Sequence, residues 1–276
     1  MGAVQRRRRI ITLTSTPARF ATLGPVLAAL AQQRLTPDRI ELWLPPSYRR
    51  YPGWTGDVPH LPAGMHLMRC PVDYGPATKI LPALAHYAGQ DVDLILCDDD
   101  HLYHPDWLAG IADAAARHPA QAIAGAGFDW PGACENRPQP RCLMTTTAQR
   151  KAARNAPLPL RFGRAPIVGQ SGYCDVFHGF SGALLRPDMF LGPLTAAPDV
   201  LWAVDDPWIS GHLERSGTRI WVDDSIPPPL MIAAADAIEP LHGAVLYGHD
   251  RAAANHAALL HFQTHHDIWV PEINRG

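Results

Sequence analysis

A chain of 276 residues, 47% hydrophobic and 18% charged, is long enough to bury a full core and too apolar to be disordered. Its formal net charge of −2 gives no electrostatic case for nucleic acid as a partner. No apolar run approaches the roughly 20 residues of a membrane helix, and five cysteines at irregular spacing suit neither a disulfide framework nor a zinc site.

In chain order, Arg6 to Arg9 form a basic run that reads as a solvated N-terminus, with contact to an anionic membrane surface as the alternative. The apolar stretch after it is too short for a signal-peptide core. The expected location is therefore the cytoplasm, extending to peripheral contact at the inner membrane face. Arg9 to Thr14 is a β-rich run, and Phe20, Leu23, Val26, Leu27 and Leu30 then fall on one helical face. Arg39 to Leu44 and Met65 to Arg69 are the second and third predicted strands. Pro76 opens a helix that carries Ile80, Leu81, Leu84 and Tyr87 inward. Val92 to Cys97 reads as a buried central strand that runs into three aspartates. A helix from Pro105 and a strand over Ala122 to Ala126 follow. Alternating strands and helices predict an α/β fold with a mostly parallel sheet. The stretch 128–169 is irregular and rich in Pro and Arg, and loops this long inside a compact domain are usually functional or mobile. Beyond it come a β-like run at Cys174 to Phe177, the segment Gly179-Phe180-Ser181-Gly182, a helix near Asp205 and a last strand at Thr218 to Val222. A tail over 233–276 is rich in Ala and His, with one helix at Arg251 to Phe262.

Asp98, Asp99 and Asp100 end an apolar strand, which is costly unless something compensates their charge. Ligands of open α/β sheets bind beyond the carboxyl ends of the strands, where these residues fall. Strand alternation predicts Asp98 and Asp100 on one side and Asp99 opposite. Two carboxylates on one side suit Mg2+ or Mn2+ bridging a diphosphate, a Lewis-acid role. A solvated acidic turn is the bland alternative, and the pattern Tyr103-x-Pro105-x-Trp107-Leu108 weighs against it.

The run Leu96 to Leu108 resembles the Asp-x-Asp segment of GT-A glycosyltransferases. Ser15-x-Pro17-x-Arg19, followed by a helix and Gln33, is similar to the opening of bacterial inverting glycosyltransferases. Gly75-Pro76-Ala77-Thr78-Lys79 occupies the place of that family's glycine and basic residue. Val204 to Leu213 resembles the acidic pair plus glycine of the Fringe-like and β-1,3-glycosyltransferases, in which the second acid is the catalytic base. The second strand lacks the acid that many relatives place near the nucleotide base, and the Gln-x-x-Arg-Trp signature of processive synthases is absent.

The resemblance implies a GT-A, Rossmann-like fold and a single domain over 1–276. A nucleotide-sugar half spans 10–127, an acceptor and catalytic half 128–232, and the tail 233–276. It implies transfer of a sugar from a nucleotide-diphosphate sugar, a UDP-sugar first among them, to a hydroxyl acceptor with inversion. The acceptor would be a glycan or lipid-linked intermediate of bacterial surface-glycan assembly. Asp206 is the candidate base, with Asp205 capping its helix, because neighbours on a helix point about 100° apart. Ser15, Thr16, Arg19, Lys79, Asp98 and Asp99 are the donor contacts, and Asp98 and Asp100 the metal ligands. Ser15 or Thr16 could equally cap a helix, and Lys79 could face solvent or hold an aspartate of the cluster. Gly179 to Gly182 either flanks the sugar or makes a plain turn. His242, His249, His256, His261, His265 and His266 lack the neighbouring acid of a zincin pattern. The rival readings are a sugar-nucleotide-forming nucleotidyltransferase, whose glycine-rich phosphate loop is missing after the first strand, and a non-catalytic nucleotide-sugar-binding module.

Overall fold

The computed structural model describes residues 6–132, 137–145, 167–194, 197–232, 238 and 249–271. Expectations resting on Cys134, His242 and much of the 128–169 stretch lie outside these. The main sheet has eight strands. Four form a parallel block: β1 (Arg8–Leu13) lies between β2 (Arg39–Leu44) and β4 (Val92–Leu96), and β3 (Met65–Arg69) extends it beyond β2. On the other side of β4 follow β12 (Ala183–Leu185), β6 (Ala122–Ala124), β13 (Ile220–Val222) and β10 (Gly172–Cys174). β12 runs antiparallel to both neighbours, and β10 is antiparallel to β13. The sheet is thus mixed and mostly parallel.

Alternation along the central strands divides the core into two layers. Leu94 and Leu96 of β4 pack on one face with α2 (Leu81–His86) and with Ile209 and Leu213 of α4 (Asp205–Arg215). Ile95 packs on the other with α1 (Gly24–Ala31) and α3 (Trp107–Arg117). A third cluster joins Trp130 and Trp208 to α5 (Arg251–His266) through Phe262. Asp250 caps α5, accepting from the Ala253 amide at 2.8 Å.

Several predicted elements differ in detail. The helix expected around Phe20 to Leu30 is a 3-10 turn over Pro17–Thr22 followed by α1, because Pro17 and Pro25 each open a new element. Pro76 opens a 3-10 turn, Gly75–Lys79, ahead of α2. The run at Cys174 to Phe177 is split between β10 and β11 (Val176–Phe177). Of the basic run, Arg6 pairs with Asp38, Arg7 with Asp91 and Arg8 with Gln90. Among the described residues no helix is long and apolar enough to cross a membrane.

Candidate active site

Because β1 to β4 are parallel, the segments that leave their C-terminal ends meet along one edge. There a cleft is lined by Ser15, Thr16 and Arg19 after β1, by Lys79 after β3, by Asp98 to Asp100 after β4, and by Asp205 and Asp206 of α4. Every residue singled out from the sequence for donor, metal or base lines this one cleft.

Strand alternation does not govern the three aspartates. β4 ends at Leu96, and Asp99 and Asp100 lie in a turn before β5 (His101–Leu102), so the expected two-sided arrangement gives way to a fan. Asp98 Oδ1 accepts from Lys79 Nζ at 2.6 Å. Asp99 accepts from Ser15 Oγ at 2.5 Å and from Arg19 Nη1 at 2.8 Å. The same Arg19 nitrogen reaches Asp100 Oδ2 at 3.1 Å, and His101 Nδ1 lies 2.5 Å from Asp100 Oδ1. Burial pushes the Asp99 carboxyl up, against Arg19. For Asp100 burial acts in the same sense, but His101 and Arg19 outweigh it and hold the group below the usual carboxylate range.

The Tyr103-x-Pro105-x-Trp107 pattern fastens this turn. The Tyr103 hydroxyl accepts from the Asp98 amide at 2.9 Å and donates to the Phe180 carbonyl at 3.0 Å. Trp107 Nε1 donates to the Ser181 carbonyl at 2.8 Å. Gly182, at φ +89°, packs on the Trp107 ring so closely that a Cβ would lie 2.3 Å from it. Gln33 braces the same region, donating to the His104 carbonyl and accepting from the Leu108 amide. Gly179 to Ser181 is therefore a short 3-10 turn held against the aspartates.

Asp205 and Asp206 both enter the cleft, which corrects the expectation that only one could. They occupy the first turn of α4, where a helix favours negative charge, and neither makes a side-chain cap. In place of capping, Asp205 Oδ2 sits 2.9 Å from Lys79 Nζ. Asp206 Oδ2 accepts from the Gly179 amide at 3.0 Å, while its buried Oδ1 has no hydrogen-bond partner. Burial, and next the neighbouring Asp205 charge, raise the Asp206 carboxyl to about 7. Burial works against the Lys79 ammonium, yet Asp205, Asp98 and Asp206 together hold its pKa well above the ordinary value. Thr16 precedes the Pro17–Thr22 turn without a side-chain cap, and Ser15 is committed to Asp99.

Sequence reading missed other walls of the cleft. Tyr48 donates to the Ser15 carbonyl at 2.9 Å, and Trp202 packs where a Cβ on Gly75 would lie 2.7 Å from its ring. Asp73 looks available in sequence, but both its oxygens accept backbone amides, from Gly75 and Arg49. Arg251, at the start of α5, also lines the cleft. Only the φ +61° of Gly75 had a trace in sequence, in the Gly75-Pro76 pair. His261 stacks on His265 with ring centroids 4.5 Å apart, and it meets Trp208 at a tilt and Phe262 edge-on. Among the described residues no group of three or more His, Cys, Asp or Glu is arranged to hold a metal.

No family model matches the chain, and no curated protein matches it in sequence. Among solved structures it is similar to GalNAc-T7 crystallised with UDP, GalNAc and Mn2+, at 12% identity and a TM-score of 0.53 over 95% of this chain. The chain spans 48% of that protein. Weaker likenesses, on which no inference rests, are to the mannosyltransferase PcManGT of Pyrobaculum calidifontis with GDP-Man and Mn2+ and to S. aureus TarS 1-349 with UDP. Their identities are 15% and 13%, their TM-scores 0.45 and 0.47. They cover 82% and 94% of this chain, which spans 56% and 71% of theirs. The mostly parallel eight-stranded sheet, with its acids gathered at one edge and its likeness to GalNAc-T7, is the GT-A fold of nucleotide-diphospho-sugar transferases.

Proposed function

We propose that the chain is a metal-dependent glycosyltransferase that moves a sugar from a nucleotide-diphosphate sugar to a hydroxyl acceptor with inversion. The observation that carries this reading is convergence: the acids after β4 and the buried carboxylate of Asp206 face one cleft at the sheet edge where such folds bind nucleotides. Ser15, Thr16 and Arg19 line the end of the cleft that receives the nucleotide, where Ser15 and Arg19 also hold Asp99 in place. Asp206 takes the acceptor proton, and its pKa of about 7 suits a base working near neutrality. The diphosphate leaves from the opposite face of the anomeric carbon. A UDP-sugar is the favoured donor. Assembly of bacterial surface glycans on a glycan or lipid-linked acceptor is the setting, and it rests on the sequence resemblance alone.

A divalent ion fits the residues present in a specific way. Asp98, with a side chain 28% exposed, offers an oxygen beside the one held by Lys79, whereas Asp100, 16% exposed, would share with the ion oxygens already engaged by His101 and Arg19. Two hard carboxylates without a third protein ligand match a Mg2+ or Mn2+ ion that completes its shell with water and substrate phosphate. Bound there by Asp98 and Asp100, the ion would neutralise charge on the leaving diphosphate.

Calorimetry tests this half of the proposal. UDP or GDP is expected to bind in Mn2+ and to lose about tenfold or more in affinity with chelator. Asp98→Asn and Asp100→Asn are expected to erase the difference between the two conditions. Binding that is indifferent to chelator would remove the metal from the account.

A further inference from the structure

We propose that Lys79 is a positioning residue that ties Asp98 on the donor side to the helix presenting Asp206, so that the two halves of the cleft move as one unit. Its catalytic consequence rests on the glycosyltransferase reading, whereas the tie itself rests on geometry. Lys79 ends the 3-10 turn that follows β3, and the residue is only 4% exposed. Its ammonium donates to Asp98 Oδ1 at 2.6 Å and lies 2.9 Å from Asp205 Oδ2, an ion pair without hydrogen-bond geometry. Asp98 follows β4, and Asp205 is the first residue of α4, so one cation joins two elements far apart in sequence. Gly179 leaves the room for this: a Cβ there would lie 2.9 Å from Lys79 Nζ and 2.7 Å from Asp206 Oδ1.

A lysine serving the diphosphate directly would hold its ammonium toward the open cleft. This one is enclosed by protein carboxylates. A buried ammonium is tolerated only when paired, and buried carboxylates this close need the cation between them. Without Lys79, Asp98, Asp205 and Asp206 would repel one another, and the start of α4 would swing away from the donor side.

The test begins with thermal stability of the free protein, which requires no donor. Asp98→Asn and Asp205→Asn are each expected to lower the melting temperature of the wild type. In a Lys79→Met background the same substitutions should raise it, because they then relieve repulsion. The same sign in both backgrounds would overturn the tie. If Lys79→Met does not fold, the double variant Asp98→Asn/Asp205→Asn decides the matter. The tie requires a loss greater than the two single losses added, since it strands the ammonium, and strict additivity would contradict it.

A second readout separates positioning from donor contact. Lys79→Met should keep UDP or GDP affinity in Mn2+ within about threefold of wild type while kcat falls about 100-fold, with partial recovery in Lys79→Arg. A loss of nucleotide affinity of about tenfold or more would make Lys79 a donor ligand instead. If the wild type turns over no nucleotide sugar, the glycosyltransferase reading fails, yet the stability signs still decide the tie.

Discussion

Asp206→Asn is expected to transfer no sugar and yet to be more stable than the wild type above pH 7. The two effects share a cause. Asp206 is buried, it neighbours the charged Asp205, and its carboxyl is raised from 3.8 to about 7. A group whose pKa is higher in the folded state adds stability that is fully present below the unfolded pKa and is lost as pH rises through the folded one. For Asp206 that loss runs from about pH 4 to about pH 7. Three pKa units set an upper bound of about 4 kcal/mol. Asparagine keeps an acceptor for the Gly179 amide and never charges, so the bound is the gain available to the variant. The stability difference should grow between pH 4 and pH 7 and then level off. Over the same range the wild-type rate should climb as the base ionises, about tenfold per pH unit below the pKa. Chemical denaturation and transfer rates measured across pH check both limbs. An active Asp206→Asn protein, or one no more stable at pH 8 than the wild type, would deny Asp206 the role of a strained base.

Gly179→Ala should disable the protein without unfolding it. The new methyl would lie 2.7 Å from Asp206 Oδ1, 2.9 Å from Lys79 Nζ and 3.4 Å from Leu96 Cδ1. The first two separations are shorter than real Cβ contacts allow, so the carboxylate and the ammonium must both shift. The side-chain ends can shift while the backbone stays, which limits the cost in stability to about 1–3 kcal/mol, typical of overpacking. The displacement falls on the base itself, where a misplacement of about 1 Å can cost about 100-fold in rate. Steady-state kinetics beside a melting curve distinguish the two effects. Unchanged kcat would mean that this end of Asp206 takes no part in the chemistry.

The residues of the site were more legible in the sequence than their arrangement. A strand of apolar residues running into Asp98 points to the cleft, because parallel strands deliver their C-terminal ends to one edge. The same reasoning places Ser15 and Arg19 there, the family resemblance places Lys79, and α4 brings in Asp206. The period-two rule holds only to Leu96, and beyond it lies a turn in which Arg19 and not the pleat decides how Asp99 and Asp100 point. Asp205 reads as a helix cap in sequence and pairs with Lys79 instead, since that partner is distant in the chain and a helix start looks the same whether its acid caps or pairs. Strand β12 escaped notice because Ala183–Leu185 is too short to show a period, although it sits beside β4 in the centre of the sheet. The Tyr103 and Trp107 pattern was visible, but its work of clamping Phe180 and Ser181 is a tertiary fact.

The most direct test of the account is release of nucleotide diphosphate from a panel of UDP- and GDP-sugars, measured with Mn2+, with Mg2+ and with chelator. At least one donor should be turned over in the presence of metal, chelator should stop it, and the Asp206→Asn variant should turn over none even with metal present. Failure to bind or turn over any nucleotide sugar, or release that proceeds unchanged in chelator, would contradict the account.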